Sequence, residues 1–235
     1  MNRREVIMAA GATAAGLAMG SVADAQVLKR SRGRSTRGLN FNNANFYDKD
    51  GKFLEEKAKD AVVSVMKYFG YPVYPNIREK LWVSDYGTGQ FTTLGLAAVG
   101  WANKDDDAAA CYMLQDLFLL PNQMLPEHWH EDPKGELPAK DEGWFVRHGS
   151  SYIVGIGEAN LPKEVVVPEC HWNGKVTVEN CVLAKPGDFV PLAKVGSHHW
   201  QFAGPQGAII TEVANVHVNA AVRHQDPKIN KHFLG

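Results

Sequence analysis

The chain changes its hydrophobic period once, and that change limits the folds open to it. Leu54, Ala58, Ala61, Val62, Val65, Met66 and Phe69 recur at three- and four-residue steps, and Gly70 and Pro72 follow, so the spacing predicts one amphipathic helix within residues 53–74. Beyond residue 75 the helical spacing stops. The segments 91–102, 109–121, 144–157, 165–172, 175–184, 188–193, 198–204 and 207–218 are short, rich in Val, Ile, Phe, Tyr and Trp, and punctuated by Gly, Pro, Asn or Asp. One helix followed by strands at this spacing argues against a parallel sheet with crossover helices. It predicts a mostly β domain over residues 75–235, a double-sheet jelly roll with the helix packed outside.

Ahead of the helix, residues 1–26 have a basic start with the pair Arg3-Arg4, a mild Ala/Gly-rich apolar stretch and a small-x-small ending at Ala25. This order predicts a twin-arginine signal peptide and a periplasmic or secreted mature protein. Residues 27–52 are polar, basic and rich in Ser, Gly and Asn, which reads as a linker or an arm laid on a neighbour, and makes a homodimer one expected partner state. No later stretch has the length of an integral membrane segment. The 25 basic and 26 acidic residues nearly cancel and form no long run of one sign, so no nucleic-acid footprint is present. Cys170 and Cys181 flank Asn173-Gly174, a strong hairpin-turn signal, but in that register they do not lie opposite one another. Cys111 is left over in any case, so no disulfide is expected.

The chemistry is concentrated in "LPEHWHEDPKGE", residues 125–136. On a strand, His128 and His130 share a face while Trp129 takes the other. Two imidazoles so placed suit a divalent metal, and an added carboxylate moves the preference toward harder ions. Glu136 is the carboxylate chosen here, with Glu131 and Asp132 as rivals nearer in sequence, and Lys134 falls on the same side as Glu136. Further on, His198 and His199 follow Gly196, and only one of them can face inward on an extended strand. His148, His171, His217, His224 and His232 read as ordinary packing or surface residues.

The pairing of His-x-His and a following Glu with a later Gly-x-x-His resembles the two motifs of the cupins. "LWVSDYGTGQFTTLGLAAVGWAN" (81–103), the His-x-His stretch, "GSHHWQF" (196–202) and "TEVANV" (211–216) are similar, in that order, to segments of the D-lyxose isomerase branch. The resemblance implies a cupin barrel and aldose–ketose isomerisation of a free sugar of the D-lyxose/D-xylulose or D-mannose/D-fructose kind. It also implies a bound Mn²⁺, with Zn, Fe, Co or Ni as alternatives, held by His128, His130, Glu136 and His199. Glu212 falls at the family's proton-transfer glutamate, where its apolar neighbours would favour a base, and Lys134 at its substrate-oxygen lysine. After Glu212 the family runs into Asn-Asp-Asp and Asp-Asn-Arg-Phe, whereas this chain reads "NVHVNAAVRHQDP". Two other readings fit the same ligands: an Fe(II) oxygenase, and an exported sugar-binding protein without turnover.

Overall fold

The computed structural model describes residues 39–132 and 137–234. The signal-peptide segment, Lys134 and Glu136 lie outside the described residues. Helix α1 (Glu55–Phe69) buries Ala58, Ala61, Val62, Val65, Met66 and Phe69, the residues whose spacing predicts it. It ends at Gly70, whose φ of 71° is the left-handed cap that glycine takes without a Cβ clash. The buried face packs on Leu81, Val83, Ala97, Val99 and Phe118 of the sheet. Each such aliphatic or aromatic side chain contributes about 1.5–3 kcal/mol on burial.

Nine strands form one curled antiparallel sheet among the described residues: β1 (Leu81–Ser84), β2 (Leu96–Lys104), β3 (Tyr112–Leu119), β4 (Met124–His130), β5 (Glu142–Gly155), β6 (Asn180–Ala184), β7 (Phe189–Pro191), β8 (His199–Ala214) and β9 (Val222–His224). Their order is β1-β2-β3-β8-β4-β9, and β5 pairs with β6, β7 and β8. The two longest strands close the barrel. Residues 208–214 of β8 pair with β3, whereas its opening residues pair with β4, and β5 follows β8 along both parts. The register of β5 on β8 slips after Val146 and again after Gly149, and such bulges bend a strand and increase its twist. A Cβ on Gly149 would lie 2.0 Å from the carbonyl oxygen of Gly207, so the bend requires glycine there. Leu117, Leu119, Leu125, Trp144, Val146, Ile153 and Ile210 fill the apolar part of the interior.

Several elements differ from the sequence reading. Segments 198–204 and 207–218 form the single bent strand β8, because Gly204 and Gly207 carry the chain through the bend where a turn was expected. Residues 165–172 form no strand: Val165 is buried, but Pro168 has no N–H for a ladder. The Asn173-Gly174 turn exists, with Trp172, Asn173 and Gly174 all at positive φ, yet it does not join two strands. The arm is docked from residue 39: Phe46 packs edge-on against Phe91 at 5.2 Å, and the Tyr47 hydroxyl donates to Asp85 at 2.8 Å. The polar composition of this segment conceals the three aromatic rings, Phe41, Phe46 and Tyr47, that anchor it. A short helix α2 (Pro227–Leu234) closes the described chain. The three cysteines are free. Among the described residues no helix is long and apolar enough to cross a membrane.

Candidate active site

The register of the sheet sets the site. His128 on β4 lies opposite His199 on β8 and, on its other side, opposite His224 on β9, so three imidazoles form one row on the inner face. His130, two residues on, joins them. One ring nitrogen from each of His128, His130 and His199 lies within 4.8 Å of the others. Glu142, at the start of β5, brings its Oε1 to 3.2 Å from His130 Nε2 and 3.3 Å from His199 Nε2. Lys140 joins Glu142 to Glu212, its ammonium donating to Glu142 Oε2 at 2.7 Å and to Glu212 Oε1 at 2.7 Å. Trp144, opposite Glu212 in the register, donates its indole N–H to Glu212 Oε2 at 3.3 Å.

The tautomers show what the cluster lacks. His128 Nδ1 lies 2.8 Å from the carbonyl of Pro126, and His199 Nδ1 lies 3.0 Å from that of Ser197. A carbonyl only accepts, so both Nδ1 atoms carry a proton, and on a neutral ring the free lone pair is then at Nε2. His199 Nε2 and Glu142 Oε1 are buried 3.3 Å apart, and neither has a hydrogen-bond partner among the described residues. Such an arrangement suits a cation held between the atoms, and backbone carbonyls that fix the ring orientation are what metal-binding histidines require. His128, His130, His199 and Glu142 therefore fit a divalent metal.

The electrostatics agree. Burial, helped by His199 and His130, holds His128 well below the usual imidazole range, and burial with Lys140 beside it holds His130 down to about 4. Both rings are thus neutral, the form that ligates. Burial alone would raise the Glu142 carboxyl, but the Lys140 ammonium beside it keeps it well below the ordinary carboxylate range. Burial works against the Lys140 ammonium too, and Glu142 and Glu212 more than offset it, so its pKa is raised.

Of the residues singled out from sequence, His128, His130, His199 and Glu212 come together, and Glu136 and Lys134 fall outside the described residues. Glu131 is no rival for the carboxylate: it points away and pairs with Arg223 at 2.9 Å. Glu212 is not enclosed by apolar groups alone, since Lys140 and Trp144 both donate to it. The sequence reading missed Glu142 and Lys140. Their signal was the alternation Lys140-x-Glu142-x-Trp144, which puts three polar-tipped side chains on one face of a strand entry. It also assigned His217 and His224 to packing, yet both line the same cavity of about 840 Å³. His198 turns outward, stacked on Trp129 at 4.3 Å and hydrogen-bonded to Glu127 at 2.9 Å.

A bent antiparallel barrel with three convergent histidines and a carboxylate at the polar part of its interior defines a cupin. No family model matches the chain. By sequence it is 30% identical to the D-lyxose ketol-isomerase of Cohnella laeviribosi over 178 residues, 74% of this chain and 92% of that one. It is 27% identical to the D-lyxose/D-mannose isomerase of Thermosediminibacter oceani over 77% of this chain and 93% of that one. The fold is similar to that of the L-ribose isomerase of Geodermatophilus obscurus, with a TM-score of 0.56 at 13% identity over 81% of this chain and 97% of that one. The chain belongs to the D-lyxose ketol-isomerase family, and it is a sugar ketol-isomerase.

Proposed function

We propose that this isomerase is metal-dependent and interconverts a free aldose with its ketose, of the D-lyxose/D-xylulose or D-mannose/D-fructose type, by proton transfer between C1 and C2. The observation that carries this reading is the convergence of bare imidazole nitrogens and Glu142 Oε1 beside the Lys140–Glu212 pair. His128, His130, His199 and Glu142 would hold the ion, Mn²⁺ being the one proposed. When bound, a divalent cation supplies Lewis-acid polarisation of the sugar's carbonyl and neighbouring hydroxyl oxygens. Glu212 takes the carbon-bound proton and returns it to the adjacent carbon, one carboxylate serving both carbons of a planar enediolate. Lys140, an ammonium at the edge of the same cavity, donates a hydrogen bond to the oxygen on which negative charge grows, and the proton that the C1 oxygen gains is the one that the C2 hydroxyl loses. Trp144 fixes the second oxygen of Glu212, so the oxygen facing Lys140 is oriented before substrate enters.

The experiment is a stereochemically complete panel of aldoses and ketoses on metal-reconstituted protein, with proton exchange at sugar C2 followed by NMR. Mn²⁺-dependent interconversion is expected for a pentose or a hexose pair. Oxygen uptake with Fe(II), or sugar binding with no exchange, would overturn the reading. We also propose that residues 1–26 direct export by the twin-arginine route. Fusion of this segment to a reporter that functions only in the periplasm, with Arg3 and Arg4 both changed to Lys as the control, tests it.

A further inference from the structure

His224 is buried, 4% exposed, at the end of β9, and neither ring nitrogen makes a hydrogen bond among the described residues. The Glu127 carbonyl is the one backbone acceptor beside the ring, and a single carbonyl can take the N–H of one nitrogen only, so at least one nitrogen is left over. Proteins rarely leave a buried imidazole unpaired, because desolvating it without a partner is costly. The ring lies 5.8 Å from that of His128, across β4 from His199, while Lys140 touches His130 and Glu142. Its other neighbours are Tyr86, at 5.2 Å, and Phe233 of α2, at 5.0 Å. His217 differs in degree. It lies near His130, its Nε2 donates to Asn219 Oδ1 at 2.8 Å, and only its Nδ1 is without a partner, whereas His224 has none at either nitrogen.

Glu212 and His224 line the same cavity as His128 and His130, so a sugar whose reacting carbons lie at Glu212 can place its far end at His224. A neutral imidazole carries one donor and one acceptor, which matches a hydroxyl. It offers no fixed charge to a phosphate; beside it the Phe233 and Tyr86 rings present faces and edges to carbon–hydrogen surface, and the Tyr86 hydroxyl adds an uncharged donor and acceptor. We propose that His224 recognises a hydroxyl on the end of the open-chain sugar remote from the reacting carbons, and so selects unphosphorylated aldoses of five or more carbons. This rests on the isomerase reading of the same cavity.

The test compares the wild type with His224→Phe, and with His224→Leu should phenylalanine prevent folding, in the metal-loaded full chain. For a pentose, kcat/KM should fall about tenfold or more through KM, the loss of one buried hydrogen bond. For glyceraldehyde, which lacks the remote hydroxyls, it should stay within about twofold, with bound metal unchanged. His224→Gln, which keeps a donor and an acceptor, should recover most of the pentose loss. Equal losses on both substrates, no loss on either, or loss of metal would each overturn the proposal. Binding of a five-carbon polyol relative to glycerol, measured by calorimetry, should fall by the same factor in the variant. That measurement needs no turnover, so a wild type that binds the polyol through His224 but isomerises nothing sinks the proposed reaction and leaves this assignment standing.

Discussion

The two faces of strand β4 hold buried charge in opposite ways. On the outer face Glu127, fully buried, accepts from Thr177 N–H at 2.8 Å, from the Thr177 hydroxyl and from His198 at 2.9 Å. Against the inner face lies Glu142 of β5, also buried, which uses only Oε2, and its Oε1 points among imidazoles without a donor. Both carboxylates have been taken out of water, but only the first has hydrogen bonds from the protein at both oxygens. A satisfied buried carboxylate is a structural part. An unsatisfied one surrounded by bare nitrogens is a place where something binds.

Substitutions should separate the two faces. The largest effect is expected within the cavity. Glu212→Gln should keep its metal and lose proton exchange by about 10²–10⁴-fold, the range for general acid–base groups, as read by deuterium exchange at sugar C2. Glu142→Gln should lower metal content and activity together, measured by elemental analysis after dialysis. Full metal occupancy in that variant would erase the distinction between the faces.

Glu127→Ala should do the reverse. Leaving Thr177 and His198 unpaired should cost about 2–4 kcal/mol in chemical denaturation, while metal stoichiometry stays at the wild-type value. Loss of metal at unchanged stability would show that the outer face serves the site directly.

Lowering the pH should affect the inner face through its histidines. In metal-free protein His130 is held down to about 4, by burial and then by Lys140, and burial pushes His224 down to about 3. Free imidazoles titrate near 6.5. Because the folded values are depressed, the unfolded chain takes up protons first as the pH falls below about 6.5. Each ring then removes about 1.4 kcal/mol of stability per pH unit until its folded value is reached. A denaturation midpoint that is flat between pH 7 and 5 would contradict this. The smallest effect is expected for Trp129→Leu, which loses the stack on His198: about 0.5–1.5 kcal/mol of stability and no change in metal content.

Part of the site was legible because its signal is local. His128 and His130 share a face by the two-residue strand period. Glu136 is the carboxylate that the sequence points to, over the nearer Glu131 and Asp132, and it lies outside the described residues. Among the described residues the carboxylate that reaches the imidazoles is Glu142 of β5, whose place beside His130 and His199 is set by strand pairing and by no local spacing. In the same way His224 read as packing because nothing near it in sequence shows that it stands opposite His128.

The sequence alone determined the helix, the β-rich remainder and the faces on which neighbouring side chains fall, since these follow from periods of 3.6 and 2 residues. Only the tertiary structure decided which charges meet. His199 and Glu212 stand thirteen residues apart on β8, roughly 40 Å along a straight strand, and the bend at Gly204 and Gly207 with the slipped register of β5 brings both to one cavity through Glu142 and Lys140. That bend depends on how closely two backbones approach, a property of the folded pair that neither segment carries in its own period.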